Sequence, residues 1–208
     1  MAQNEQVLVV KRSVLEETGM FQGLAFDVEH RLARLFAPGT ARFIPRVEAE
    51  NDPNFKQLIS YVLLCCNGKI LSYVRGKRAG ETRLVGNRSI GIGGHINPVD
   101  DMALFGDFRE TYLNAVQREV EEEIHVKAGY TDRIAALIND DSNAVGAVHL
   151  GVVHIWTLNS EAVEKREQMI TQMAFMTPEE LLAERDTMET WAQLCLDGLT
   201  TLGNAAPL

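Results

Sequence analysis

Residues Glu110 to Val126, Glu-Thr-Tyr-Leu-Asn-Ala-Val-Gln-Arg-Glu-Val-Glu-Glu-Glu-Ile-His-Val, constrain the fold more than any other stretch of the chain. Leu113, Val116, Val120 and Ile124 recur at helical spacing and form one apolar stripe. Glu119, Glu122 and Glu123 stand at i, i+3 and i+4, so a helix projects their carboxylates from one face, while Glu121 points elsewhere into solvent. Like charges at that spacing repel by a few tenths of a kcal/mol per pair. Two readings are open for the triplet. It is the solvated face of an amphipathic helix, or it is a ridge neutralised by a divalent cation. Hard cations such as Mg²⁺ take oxygen ligands and bridge one or two carboxylates to substrate phosphates.

The residues around the triplet narrow the choice. Glu110, seven residues, then Arg118-Glu119-Val120-x-Glu122-Glu123-x-x-Val126 resembles the Nudix box, Gly-x5-Glu-x7-Arg-Glu-(apolar)-x-Glu-Glu-x-Gly-(apolar). From the first Glu onward, seven of the eight specified positions match. The pattern departs in two places. Leu104 occupies the position of the box glycine, and the better candidate is Gly94 in Gly91-Ile-Gly-Gly94-His95-Ile96, which implies an insertion at 97–108. Loops accept such length because closure entropy grows only logarithmically. His125 stands where a glycine normally follows the helix, a position that favours the left-handed conformation. Neither departure removes a carboxylate.

Composition excludes several classes. A 208-residue chain with 46% hydrophobic residues is long enough for a real core. A formal charge of −9 argues against a general nucleic-acid or anionic-membrane binder. Cys65, Cys66 and Cys195 make neither a disulfide framework nor a zinc spacing. No apolar run reaches spanning length and the first residues lack a secretory pattern, so the expected setting is reduced and cytoplasmic.

Along the chain, residues 1–55 form an N-terminal extension: Val7 to Val10 reads as a strand and His30 to Phe36 as a helix ended by Pro38-Gly39. The extension reads as an added subdomain, as an edge forming a homodimer, or as a packing extension. Leu58 to Leu64 and Ile70 to Val74 flank Asn67-Gly68, a strong hairpin signal, with Cys65 and Cys66 at the strand end. Arg75, Lys77, Arg78, Arg83 and Arg88 then form a basic run, either a solvated loop or a set of phosphate contacts. Ser89 to Ile96 reads as a strand arriving at Gly93-Gly94, where a bare backbone can approach a phosphate or metal. His95 reads as a turn or packing residue. Asp107-Phe-Arg-Glu110 resembles a capping box that starts the long helix near Phe108.

Further on, Ile134 to Ile138 and Ala147 to Leu158 read as strands, the second nearly continuous in apolar residues and therefore central. His149 and His154 point to opposite faces of that strand, so they make no metal pair. Thr177-Pro178-Glu-Glu180 is a capping box for a helix, and a last helix over Met188 to Leu199 is expected to bury Trp191, Leu194 and Cys195.

The resemblance covers about residues 57–185 and implies an α/β fold: a Nudix-type α/β/α sandwich with a mixed β-sheet, over a domain at 56–208. It implies a hydrolase that cleaves the pyrophosphate bond of a nucleoside diphosphate linked to another moiety. The metal would be Mg²⁺ or Mn²⁺ on Glu119, Glu122 and Glu123, with the Gly94 backbone alongside and Arg118 orienting the glutamates. One box glutamate, Glu164 or Glu167 would be the general base. The partner is then a small-molecule nucleotide pyrophosphate, with neither nucleic acid nor membrane involved. Two other functions remain on the same fold: a nucleotide-sensing module without catalysis, and an isoprenoid-diphosphate isomerase, which is expected to need a placed active-site cysteine.

Overall fold

The computed structural model describes residues 5–76, 84–101, 108–168 and 170–203. The elements run β1 (Gln6–Lys11), α1 (Arg12–Glu17), β2 (Gly23–Ala25), α2 (Val28–Leu35), β3 (Ala41–Pro45), α3 (Arg46–Ala49), β4 (Phe55–Cys66), β5 (Lys69–Arg75) and β6 (Arg88–Ser89). After a 3-10 turn at Pro98–Asp100 come α4 (Phe108–Glu123), β7 (Ile124–Val126), β8 (Tyr130–Asn139) and β9 (His149–Leu158). The chain closes with β10 (Val163–Lys165), β11 (Ile170–Met176), α5 (Pro178–Ala183), α6 (Thr190–Asp197) and α7 (Leu199–Gly203). The result is a mixed α/β fold. Its mixed sheet has the strand order β11-β5-β4-β9-β8-β2, with β1 pairing β3 and β4, and β6 pairing β5. As its apolar run predicts, β9 is an interior strand of that order.

Two compact units interleave along the chain. The first comprises Met1–Ser60, Gly93–Glu119 and Ala136–Val152. In it β1 lies antiparallel to β3 (Val7↔Ile44) and to the start of β4 (Val9↔Gln57), and β2 pairs β8 (Leu24↔Ile138). Val7, Val9, Ile44, Ala49 and Phe55 form one apolar cluster there. Helix α2 buries Val28, Leu32 and Leu35, a stripe at helical period. Lys56, with no exposed side chain, reaches Asp141 Oδ1 at 2.6 Å and the Gly146 carbonyl at 2.8 Å, and Arg12 grips the same carboxylate.

The second unit comprises Tyr61–Ile92, Val120–Ala135 and Val153–Leu208. Its hairpin closes at Cys66↔Lys69, with Asn67 and Gly68 both at positive φ (51° and 77°), the conformation an Asn-Gly turn requires. β11 runs antiparallel to β5. Thr177 and Glu180 exchange the two bonds of a capping box at α5. Buried Glu189, just before α6, accepts from Tyr61, Ser89 and Arg75.

Several expectations need correction. Leu113 is 40% exposed, because Tyr112 and Ala115 take the inner face beside Val116 and Val120. The helix stops at Glu123. Ile124-His125-Val126 is a strand pairing β10, and His125 is not among the positive-φ residues. Ser89 to Ile96 is a strand only at its start, followed by single bridges at Ile92 and His95. Trp191 and Leu194 are half-buried, whereas Ala192, Cys195 and Leu196 form the inner face of α6. Asp107 of the expected capping box lies outside the described residues.

Candidate active site

In the first unit the glycine turn is set by close packing. A side chain on Gly93 would collide with the Ser60 carbonyl, and Ser60 and Gly94 exchange bonds: Ser60 N–H to the Gly94 carbonyl at 3.2 Å and Gly94 N–H to Ser60 Oγ at 3.4 Å. A side chain on Gly94 would collide with the Glu119 carboxylate, Oε2 first. The backbone of Gly94 therefore lies directly against Glu119, the first acid of the triplet.

Arg118 is the centre of this cluster. Its NH1 donates to Glu119 Oε1 at 2.8 Å and its NH2 to the His95 carbonyl at 3.0 Å. Its Nε and NH2 also fork onto Asp100, at 2.6 Å to Oδ1 and 2.9 Å to Oδ2. The hydrogen bonds that it donates to Asp100 are the largest influence holding the guanidinium above its ordinary pKa. Asp100 is 4% exposed and also accepts from the Asn97 N–H at 2.8 Å. The inserted segment thus supplies a partner to the box arginine. The available signal was Asn97-Pro98-Val99-Asp100, which has the spacing of a capped turn.

His95 and His149 meet with their Nε2 atoms 3.4 Å apart, and His149 Nδ1 lies 2.6 Å from the Val145 carbonyl. A carbonyl only accepts, so His149 carries a proton on Nδ1. Burial, then the nearby Arg46 charge, holds His95 well below its ordinary pKa. His154 instead contacts Asp132 at 2.9 Å in the second unit, so the two strand histidines have unrelated partners.

In the second unit, Glu122 is exposed and Glu123 half-buried on the last turn of α4. The Glu123 carbonyl accepts from the N–H groups of Arg166 (2.9 Å) and Glu167 (3.1 Å), which fixes Glu167 beside the end of the acidic ridge. Glu164 is solvent-facing and engaged by Lys127 at 2.7 Å, which pulls its carboxyl below the usual range. Arg75 is paired with Glu189 at 2.9 Å. Arg88 donates to Ser72 Oγ at 3.1 Å, and its Nε has no hydrogen-bond partner among the described residues. Lys77, Arg78 and Arg83 lie outside the described residues. Burial pushes the Cys65 thiol up to about 12 and raises Cys66 and Cys195, so none is poised as a thiolate.

Among the described residues, no group of three or more His, Cys, Asp or Glu side chains is gathered tightly enough to enclose a metal alone. Mg²⁺ does not require an all-protein cage, since it keeps waters and completes its shell with substrate phosphates. The donors are hard oxygens, and the side-chain-free turn at Gly94 lies against one of them, Glu119. The residues present fit such an ion.

The fold is that of a Nudix protein, and the chain belongs to the Nudix hydrolase superfamily. It is similar along nearly its whole length to protein YmaB of Bacillus subtilis, at 34% identity over 203 residues, covering 93% of this chain and 97% of YmaB. The crystal structure of Tm1382, assigned provisionally to the Nudix hydrolases, matches with a TM-score of 0.79 at 30% identity, over 95% of this chain and 100% of its own. DR0079 from Deinococcus radiodurans matches with a TM-score of 0.54 at 18% identity, over 78% of this chain and 93% of its own. The Nudix domain of Shewanella oneidensis NrtR, solved with ADP-ribose, reaches 0.50 at 14%, over 70% and 86%. These last two share the fold alone. No family model matches the chain. Among the described residues, no helix is long and apolar enough to cross a membrane.

Proposed function

We propose that this protein is a metal-dependent pyrophosphohydrolase acting on a nucleoside diphosphate linked to another moiety. The observation that carries the reading is the contact of the Gly94 backbone with the carboxylate of Glu119, which Arg118 holds from its other oxygen. Glu122 and Glu123 follow one turn later on the same helix. These three glutamates would hold Mg²⁺ or Mn²⁺, which when bound neutralises pyrophosphate oxygens and lowers the pKa of a bound water. Arg118 orients Glu119 through a charge-assisted hydrogen bond. Glu167, tied through its N–H to the Glu123 carbonyl, is the better general base, because Glu164 already neutralises Lys127. Arg88 would meet a substrate phosphate, with Lys77, Arg78 and Arg83 following from the same basic run. Arg75 would act there chiefly through its charge, since Glu189 takes its hydrogen bonds.

The test is a panel of nucleotide diphosphate substrates assayed with and without Mg²⁺, on wild type and Glu122→Gln. Glu122 is exposed, so the variant should fold normally and lose about 10²-fold or more in kcat. Full turnover in Glu122→Gln rejects the mechanism. Tight nucleotide binding without turnover in any metal would instead favour a sensing module.

A further inference from the structure

One short segment ties the candidate base to the end of the acidic helix. An α-helix leaves its last four carbonyls without partners inside the helix, and a left-handed glycine commonly folds the chain back to meet them. Helix α4 has no such residue: it ends at Glu123, and Ile124-His125-Val126 leaves at once as β7 with no positive φ. The partners come instead from a segment 45 residues further along the chain. β7 pairs antiparallel with β10, Lys165 opposite Ile124 and Glu164 opposite His125, which carries the following residues over the last turn of α4. There the N–H groups of Arg166 and Glu167 both donate to the Glu123 carbonyl, at 2.9 and 3.1 Å, and the Arg166 guanidinium donates to the Glu121 carbonyl at 2.7 Å.

Two of these three bonds are made by backbone groups, which every residue but proline supplies. The third belongs to one side chain. It is charge-assisted, and it sets a cation against the negative end of the helix macrodipole. Arg166 itself is exposed, whereas the adjacent Glu167 is half-buried. The bond that closes α4 therefore also fixes the backbone from which the Glu167 carboxylate projects.

We propose that Arg166 is a positioning residue which, by gripping the end of α4, holds the neighbouring Glu167 beside the acidic ridge for proton abstraction. The inference rests on the reading of Glu167 as the general base. It also gives the box position taken by His125 a counterpart elsewhere: the cap is supplied by the very segment that carries the base, so docking that segment and placing the base are one event. Two simpler accounts predict other outcomes. If Arg166 only stabilises α4, the kinetic cost of losing it is independent of Glu167. If it meets a substrate phosphate, its loss raises KM.

The experiment combines two measurements on the full-length protein and its variants. Steady-state kinetics in Mg²⁺ use whichever member of a nucleoside diphosphate panel, ADP-ribose included, the wild type cleaves fastest; amide hydrogen exchange is followed without substrate. Arg166→Met removes the cation but keeps an unbranched chain, and kcat should fall about 10- to 100-fold while KM stays within about twofold. Exchange of the Glu167 N–H should become about 10-fold faster as the segment loosens. Arg166→Lys keeps a cationic donor and should recover most of the lost kcat. Glu167→Gln alone should lose about 100-fold or more in kcat. Adding Arg166→Met to it should cost nothing further, because a residue that acts through the Glu167 carboxylate has nothing to place once that carboxylate is gone. Losses that multiply in the double variant, a raised KM as the main effect of Arg166→Met, or unchanged exchange at Glu167 overturns the proposal and leaves the base reading standing. Full kcat in Glu167→Gln, or a wild type that cleaves no member of the panel, removes the base reading and this inference with it.

Discussion

Lys56 and Asp141 show how an ionic contact divides its effects between partners. Asp141 is held at about 2 because Arg12 and Lys56 bond its oxygens, which outweighs the cost of partial burial. Lys56 is pulled below its ordinary pKa, because a wholly buried ammonium loses more hydration than one carboxylate returns. The signs follow from linkage. A carboxylate with a depressed folded pKa stabilises above its unfolded value near 4 and loses that contribution as pH falls toward 2. Urea unfolding of wild type should therefore show up to about 2 kcal/mol of acid sensitivity between pH 4 and pH 2 from this group. Asp141→Asn should remove that slope and cost about 3 kcal/mol at pH 7 by leaving Lys56 charged and buried. An unchanged stability in this variant would mean that the Gly146 carbonyl alone suffices. None of this was legible beforehand, because Lys56 and Asp141 are 85 residues apart and each alone reads as an ordinary surface charge.

Among the elements, β11 carries strain that sequence patterning does not reveal. Thr171 pairs Val74 and Ala174 pairs Ser72, so Gln172 and Met173 together oppose Tyr73. Gln172 takes a φ of 49°, in the region a bulge usually fills with glycine. Gln172→Gly should raise stability by up to about 1 kcal/mol, and Gln172→Val should lower it by about as much, both by urea midpoint. A loss in the glycine variant would show that the Gln172 side chain offsets the strain. At α5, Thr177→Ala should cost about 1 kcal/mol by removing the bond to Glu180 N–H. Local chemistry was read well here: the Asn67-Gly68 turn, the Thr177 cap and β9 all stand where their residues indicate. Helix α4 was legible in its acids but not in its end or inner face. Spacing alone admits Leu113 to the stripe, and only packing shows that bulkier Tyr112 takes the interior. Likewise Ile124 to Val126 continues a helical pattern, yet pairs with β10 once the Arg166 and Glu167 N–H groups have capped Glu123. Asp100 went unread for the same reason: its partner is 18 residues away.

For the molecule as a whole, β4, α4, β8 and β9 each pass from one compact unit to the other, so neither unit owns all its own elements. A break inside a helix or strand is unfavourable, and thermal unfolding should therefore be a single calorimetric transition. Mg²⁺ at about 100 times its Kd should add about 2.7 kcal/mol and raise Tm in wild type, but not in Glu122→Gln. Equal shifts in both proteins would assign the stabilisation to nonspecific ion binding by a chain of charge −9. The Gly94 turn has one more consequence. Because even a methyl group there would overlap the Glu119 carboxylate, a saturation library at codon 94 selected for turnover should return glycine alone. The same library sorted only for soluble expression should be far more tolerant, since the obstacle is the movable tip of one side chain.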